Sequence, residues 1–138
     1  MKYLKSIFIT ITVLFVSSCN MDLNNGNSAP HPDFKIGQKG IEKMLKQDFD
    51  FQKMSVGTHL AKKMGTKELG LNLTFQIDDV LSVSDSIFKE HASTIKKLVV
   101  NNLLHLEDYD FINITFENEN IEGEFTKSTS VKIRKLLK

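Results

Sequence analysis

The sequence is poor in the residues that declare chemistry. Among 138 residues there are one cysteine, no tryptophan and two prolines. A single thiol excludes a disulfide framework within the chain and excludes a cysteine-based zinc site. An excess of one charge is missing as well: Lys and Arg number 18 against 17 for Asp and Glu, which argues against a general nucleic-acid binder. There is no G-x-S-x-G, no G-x-x-x-x-G-K-[ST] and no G-x-G-x-x-G. Of the four histidines (His31, His59, His91 and His105), none forms a His-x-x-x-His pair. His91 and His105 fall on one expected helix but ~21 Å apart, too far to share a metal. No triad, metal set or cofactor loop can be assembled, so the expectation is a non-enzymatic protein without cofactor or metal.

Long hydrophobic runs are also missing. The longest, Ile7 to Val16, follows Lys2 and Lys5 and has ten residues. As a helix it reaches only ~15 Å, half of a ~30 Å hydrocarbon core, which disfavours a permanent transmembrane span. A basic start, a short apolar stretch and small residues behind it make a secretory signal.

The chain's one cysteine stands directly behind that stretch, in Val16-Ser17-Ser18-Cys19. This segment resembles the lipobox of bacterial lipoproteins: a branched apolar residue, two small residues, then cysteine. Val in place of Leu, and Ser in place of Gly or Ala just before the cysteine, are mild departures. The resemblance implies that residues 1–18 are a signal peptide, that the Cys19 thiol carries diacylglycerol, and that the new amino group is acylated. Two or more buried acyl chains anchor firmly where one is marginal, each methylene adding ~0.8 kcal/mol. The competing reading is an ordinary signal with a cysteine near the cut by chance. Asn20, rather than Asp, follows Cys19, and Asp22 is the one acid nearby. The resemblance therefore points to the outer membrane, facing the periplasm.

Residues 19–37 read as a flexible tether, rich in Asn, Gly, Ser and Pro, and residues 38–138 as a single domain. Ile41, Met44 and Leu45 set a short helix over ~38–48. Residues 51–77 read as a hairpin, because Leu69, Leu71, Leu73, Phe75 and Ile77 alternate with polar partners. A helix through 52–64 is the alternative, since Met54, Leu60 and Met64 permit it. Ser82 or Ser84 can cap a long helix over ~84–105, whose stripe is Ile87, Phe88, Ala92, Ile95, Val99, Leu103 and Leu106. Phe111 to Phe116 reads as a strand, Glu117 to Asn120 as a turn, and ~121–135 as a last strand. Asp48-Phe49-Asp50-Phe51 recurs sixty residues on as Asp108-Tyr109-Asp110-Phe111, which suggests two helix–strand–strand units or convergent turn chemistry. The expected fold is α+β in αββαββ order. It is a two-layer sandwich of about four antiparallel strands with two helices on one face.

Charge is segregated along the chain. Residues 106–124 hold seven acids and no base, and residues 125–138 hold five bases and no acid. Either the acidic segment is a docking surface, with Glu117, Glu119, Glu122 and Glu124 as the candidate patch, or adjacent strands pair these charges across the sheet. Asp78-Asp79 reads as a turn that closes a strand or as a carboxylate pair. Asp48, Asp50, Asp108 and Asp110 would form a cation site only if folded together. The pattern is similar to that of small bacterial lipoproteins. That resemblance implies location and not activity; the role expected from the residues is a membrane-anchored interaction module for an envelope protein partner, with an immunity-type or small-ligand-binding lipoprotein as the alternative.

Overall fold

The computed structural model of the chain describes residues 30–63, 65–122 and 125–138. Six main elements follow one another: α1 (Gly37–Leu45), β1 (Lys53–Lys63), β2 (Thr66–Gln76), α2 (Asp85–Asn102), β3 (Phe111–Glu122) and β4 (Phe125–Leu136), with a 3-10 turn at Leu106–Asp108. The protein is α+β in the order αββαββ, and its four strands form one sheet in the order β1-β2-β3-β4.

The first hairpin settles Lys53–Lys63 as strand rather than helix. β1 and β2 pair antiparallel from Lys53↔Gln76 to Lys63↔Thr66, around Gly65 at φ +85°. The sheet is mixed, however, and not antiparallel throughout: β2 and β3 run parallel, Gly70 opposite Phe111 and Gln76 opposite Glu117. The cause is the crossover. The 18 residues of α2 span ~27 Å, enough to carry the chain from the end of β2 back to its start, so β3 sets out in the same direction. The second hairpin, β3 with β4, is antiparallel. It is longer than the pattern suggests, because Glu117 to Asn120 are paired strand residues opposite Ser130 to Lys127 rather than a turn.

The two αββ units repeat in order but not in space. Residues sixty apart keep the same sheet face, Met54 and Val56 matching Ile114 and Phe116. Yet β1 is antiparallel to β3, while β2 and β4 both lie on the same side of their partners. No rotation that keeps the core face inward superposes such units.

One face of the sheet builds the core. Leu71, Leu73 and Phe75 of β2 lie opposite Ile112, Ile114 and Phe116 of β3, all fully buried or nearly so. The same cluster takes in Ile41 and Leu45 of α1 and Phe88, Ala92, Ile95 and Val99 of α2. Ser84 occupies the N-cap of α2 without a side-chain cap bond, and Asp85 stands in the first turn where the helix dipole favours an acid. It ends three residues before the expected limit: Leu103 turns extended, and His105 adopts a left-handed conformation (φ 55°) that cannot continue a helix. His91 and His105 therefore do not share a helix.

The folded part also begins earlier than composition suggests. Phe34 is buried in the core and bridges Leu103, with Lys35 N–H donating to the Asn102 carbonyl at 2.8 Å and Leu104 N–H to that of Asp33 at 2.8 Å. Burying such a ring is worth about 2 kcal/mol.

Candidate functional site

Two surfaces of the described residues carry groups beyond those the core requires. The first is the sheet face turned away from the core. Its central rows are small and polar: Ser55, Thr74 and Thr115, then Gly57, Asn72 and Asn113. Asn113 is buried there, and its side-chain amide donates to Asn72 Oδ1 at 2.9 Å. At one end of this face Phe111 lies against Gly70. The Arg134 guanidinium covers the Phe111 ring at 3.6 Å and pairs with Glu68 at 3.0 Å.

Glu117 and Glu119 stand at the opposite end of the same face, lining a depression of about 120 Å³ with Lys53, Ser55, Thr74 and Gln76. Register places them opposite Ser130 and Ser128, so the acids of β3 are not paired with the bases of β4 directly across the hairpin. β4 instead sends Arg134 over β3 to Glu68 on β2, and Lys138 reaches Asp110 at 2.9 Å. Of the other expected site residues, Glu122 falls opposite Phe125 at the end of the hairpin, while Glu124 and Cys19 lie outside the described residues.

Asp110 ties three strands together where β3 begins. Its backbone N–H donates to the Leu69 carbonyl (2.8 Å), its carboxylate accepts from Leu69 N–H (2.9 Å), and its carbonyl accepts from Leu137 N–H (2.9 Å). The hydrogen bond from Lys138, followed by that from Leu69 N–H, holds the Asp110 carboxyl below the usual carboxylate range. A depressed folded-state pKa stabilises the fold above the unfolded value, and that stability is lost as pH falls through the folded one. Asp110→Asn should therefore lower the urea midpoint at neutral pH, and the gap to the parent protein should close in acid. A gap that persists undiminished in acid would show that the charge is not what matters. Nearby, burial pushes the Tyr109 phenol up, with Asp108 and Asp33 adding to the effect.

The second surface is a cleft of about 370 Å³ at the other end of the sheet, between the exit of β2, the start of α2 and the segment joining α1 to β1. Phe88 and Phe116 form its buried floor, their rings 4.8 Å apart. Phe49 and His91 stack above them at 4.6 Å with 27° between planes. Asp50, Asp78 and Asp79, all exposed, stand at the rim, and no Lys or Arg lines the cleft.

The rim is held by a well-bonded turn. The Asn118 side-chain amide donates to the carbonyls of Ile77 (3.2 Å) and Asp78. Asp79 Oδ1 accepts from the N–H groups of Leu81 (2.8 Å) and Ser82 (3.3 Å). Gln52 Nε2 donates to Asp78 Oδ1. Each of Asp78 and Asp79 keeps its Oδ2 outside these bonds, and Lys127 lines an adjoining depression that shares both residues.

Asp78-Asp79 forms the strand-ending turn that the sequence allowed, and both residues line the cleft. The two Asp-x-Asp motifs do not converge. Asp50 lies by the end of β2, near Ile77, and Asp110 beside Leu69 towards its start, roughly 26 Å along the strand. The cleft itself was not legible in the sequence. The available signal was an acidic pair directly behind the clearest strand, combined with an aromatic between two acids at Asp48-Phe49-Asp50. No protein family, curated protein or solved structure matches the chain.

Proposed function

We propose that this chain is a lipid-anchored, non-enzymatic module of the bacterial cell envelope that docks a protein partner on the open face of its sheet. We read the fold as a two-layer sandwich with both helices on the core face, which leaves the other face for recognition. The observation that carries this reading is the composition of that face. Its central rows are polar and it is four strands wide, with Lys53, Lys132 and Arg134 set among Glu68, Glu117 and Glu119. Mixed charges over small polar side chains suit a partner of complementary pattern, and such complementarity favours specificity and encounter rate.

The anchor is Cys19 and the tether follows it, with the periplasmic side of the outer membrane as the proposed location. Among the described residues no helix is long and apolar enough to cross a membrane. Residues 33–35 join the domain against the last turn of α2.

Two measurements test this proposal. Cys19→Ala should release the protein from membrane fractions or leave its precursor uncut; unchanged membrane association and processing would reject the anchor. A photocrosslinker placed at Thr115 should capture one envelope protein in cells, and the capture should disappear when Glu117→Lys and Glu119→Lys are combined. Crosslinks that survive this reversal would remove the acidic residues from the docking surface.

A further inference from the structure

We infer that the cleft between Phe49, His91 and the Asp50, Asp78 and Asp79 carboxylates is a binding site for a small organic cation that carries an apolar group. Four features meet there. Its size of about 370 Å³ lies within the ordinary range of small-molecule sites, which are concave, mainly apolar and furnished with a few placed polar groups. Its floor is aromatic, and ring faces attract cations as well as apolar bodies. Its rim bears three carboxylates with no Lys or Arg among the lining residues; Lys127 in the adjoining depression offsets one of these charges, and the balance at the mouth still favours positive charge.

The last feature is the mouth itself, which exposes apolar surface that the fold does not use. Ile87, in the wall, is 44% exposed. The turn that carries Asp78 and Asp79 is already fixed by Asn118, so binding would order little of the chain. The ligand's ammonium would sit among the carboxylates and its apolar part over Phe49 and Phe116. Nothing in this inference depends on the membrane anchor or on the sheet face, and each can fail without the other.

The test is titration of the isotope-labelled full chain in detergent with 2-phenylethylammonium, 2-phenylethanol and 3-phenylpropionate, followed by amide shifts. The ammonium probe should bind saturably, with shifts gathered around Asp50, Asp79 and His91 and absent at Thr74 and Thr115. The alcohol should bind at least about five-fold more weakly, and the carboxylate should not bind. Asp50→Asn, an exposed position, should weaken the ammonium about five-fold. Ile87→Lys should abolish its binding while leaving the spectrum of the sheet unchanged. Equal binding of ammonium and alcohol, shifts outside the cleft, no binding of any probe, or indifference to both substitutions would each overturn the assignment.

Discussion

Phe75→Ala should cost this protein about 4 kcal/mol, a large part of the 5–15 kcal/mol by which a domain of this kind is stable. Phe75 is fully buried in the middle of β2, opposite Met54 on one side and Phe116 on the other. Its ring meets Phe51 at 5.1 Å and Phe49 at 5.3 Å edge to face, and stacks on Phe116 at 5.7 Å. Truncation removes the apolar transfer energy of the ring and leaves a void that β1, β3 and the segment carrying Phe49 and Phe51 would have to collapse to fill. They cannot do so freely, because β1 and β3 are fixed to β2 by their ladders. Urea denaturation measures the effect directly. A loss below about 1 kcal/mol would mean that the rings around Phe75 close the gap, and that the aromatic cluster is not the centre of the core. The floor of the acidic cleft shares Phe116 with this cluster, so the variant should also disturb the cleft.

Gly70→Ala should be nearly as damaging, about 3 kcal/mol, although it adds only a methyl group. A Cβ at position 70 would stand 2.2 and 2.3 Å from two carbons of the Phe111 ring, well inside contact distance. Phe111 cannot withdraw cheaply. Its backbone is paired on one side with Gly70 and on the other with Leu136, and the Arg134 guanidinium covers its outer face, itself held by Glu68. Swinging the ring clear would expose a fully buried phenylalanine and break that stack. The mechanism is separable from a general intolerance of position 70. Phe111→Ala alone should cost about 3 kcal/mol, while the double variant should cost 1–2 kcal/mol less than the sum, because the new methyl then meets a vacated space. Strict additivity in that cycle would refute the collision.

The same pair of residues shows where sequence reasoning stops. Gly70 sits inside an otherwise regular alternation, Leu69 to Phe75, and nothing local marks it as a site of close approach. The reason lies forty-one residues away, in a strand that the parallel pairing brings alongside. Asp110 is similar: its role depends on Leu69 and Lys138, neither of which is near in sequence. By contrast, the stripe Phe88, Ala92, Ile95 and Val99 is legible at once, since a period of 3.6 allows one inward face. Its end was misread because His105 tolerates the left-handed conformation that closes the turn, and hydrophobic periodicity says nothing about φ. The turn at Glu117 to Asn120 was misread because polar, acidic residues on an open sheet face look the same as those of a loop.

Local pattern alone determined that this chain is α+β, that β2 is a strand with Leu71, Leu73 and Phe75 on one face, and which side of α2 turns inward. Those properties follow from alternation and helical spacing, which are written in neighbouring residues. That β1 is a strand and not a helix was decided by its pairing with β2. Tertiary structure alone decided that β2 and β3 run parallel, that Phe34 belongs to the core, that Glu117 and Glu119 face serines rather than lysines, and that Asp50, Asp78, Asp79 and His91 surround one cleft. Each of these depends on the path of the chain between elements: α2 returns to the start of β2, and every later register follows from where β3 is thereby made to begin.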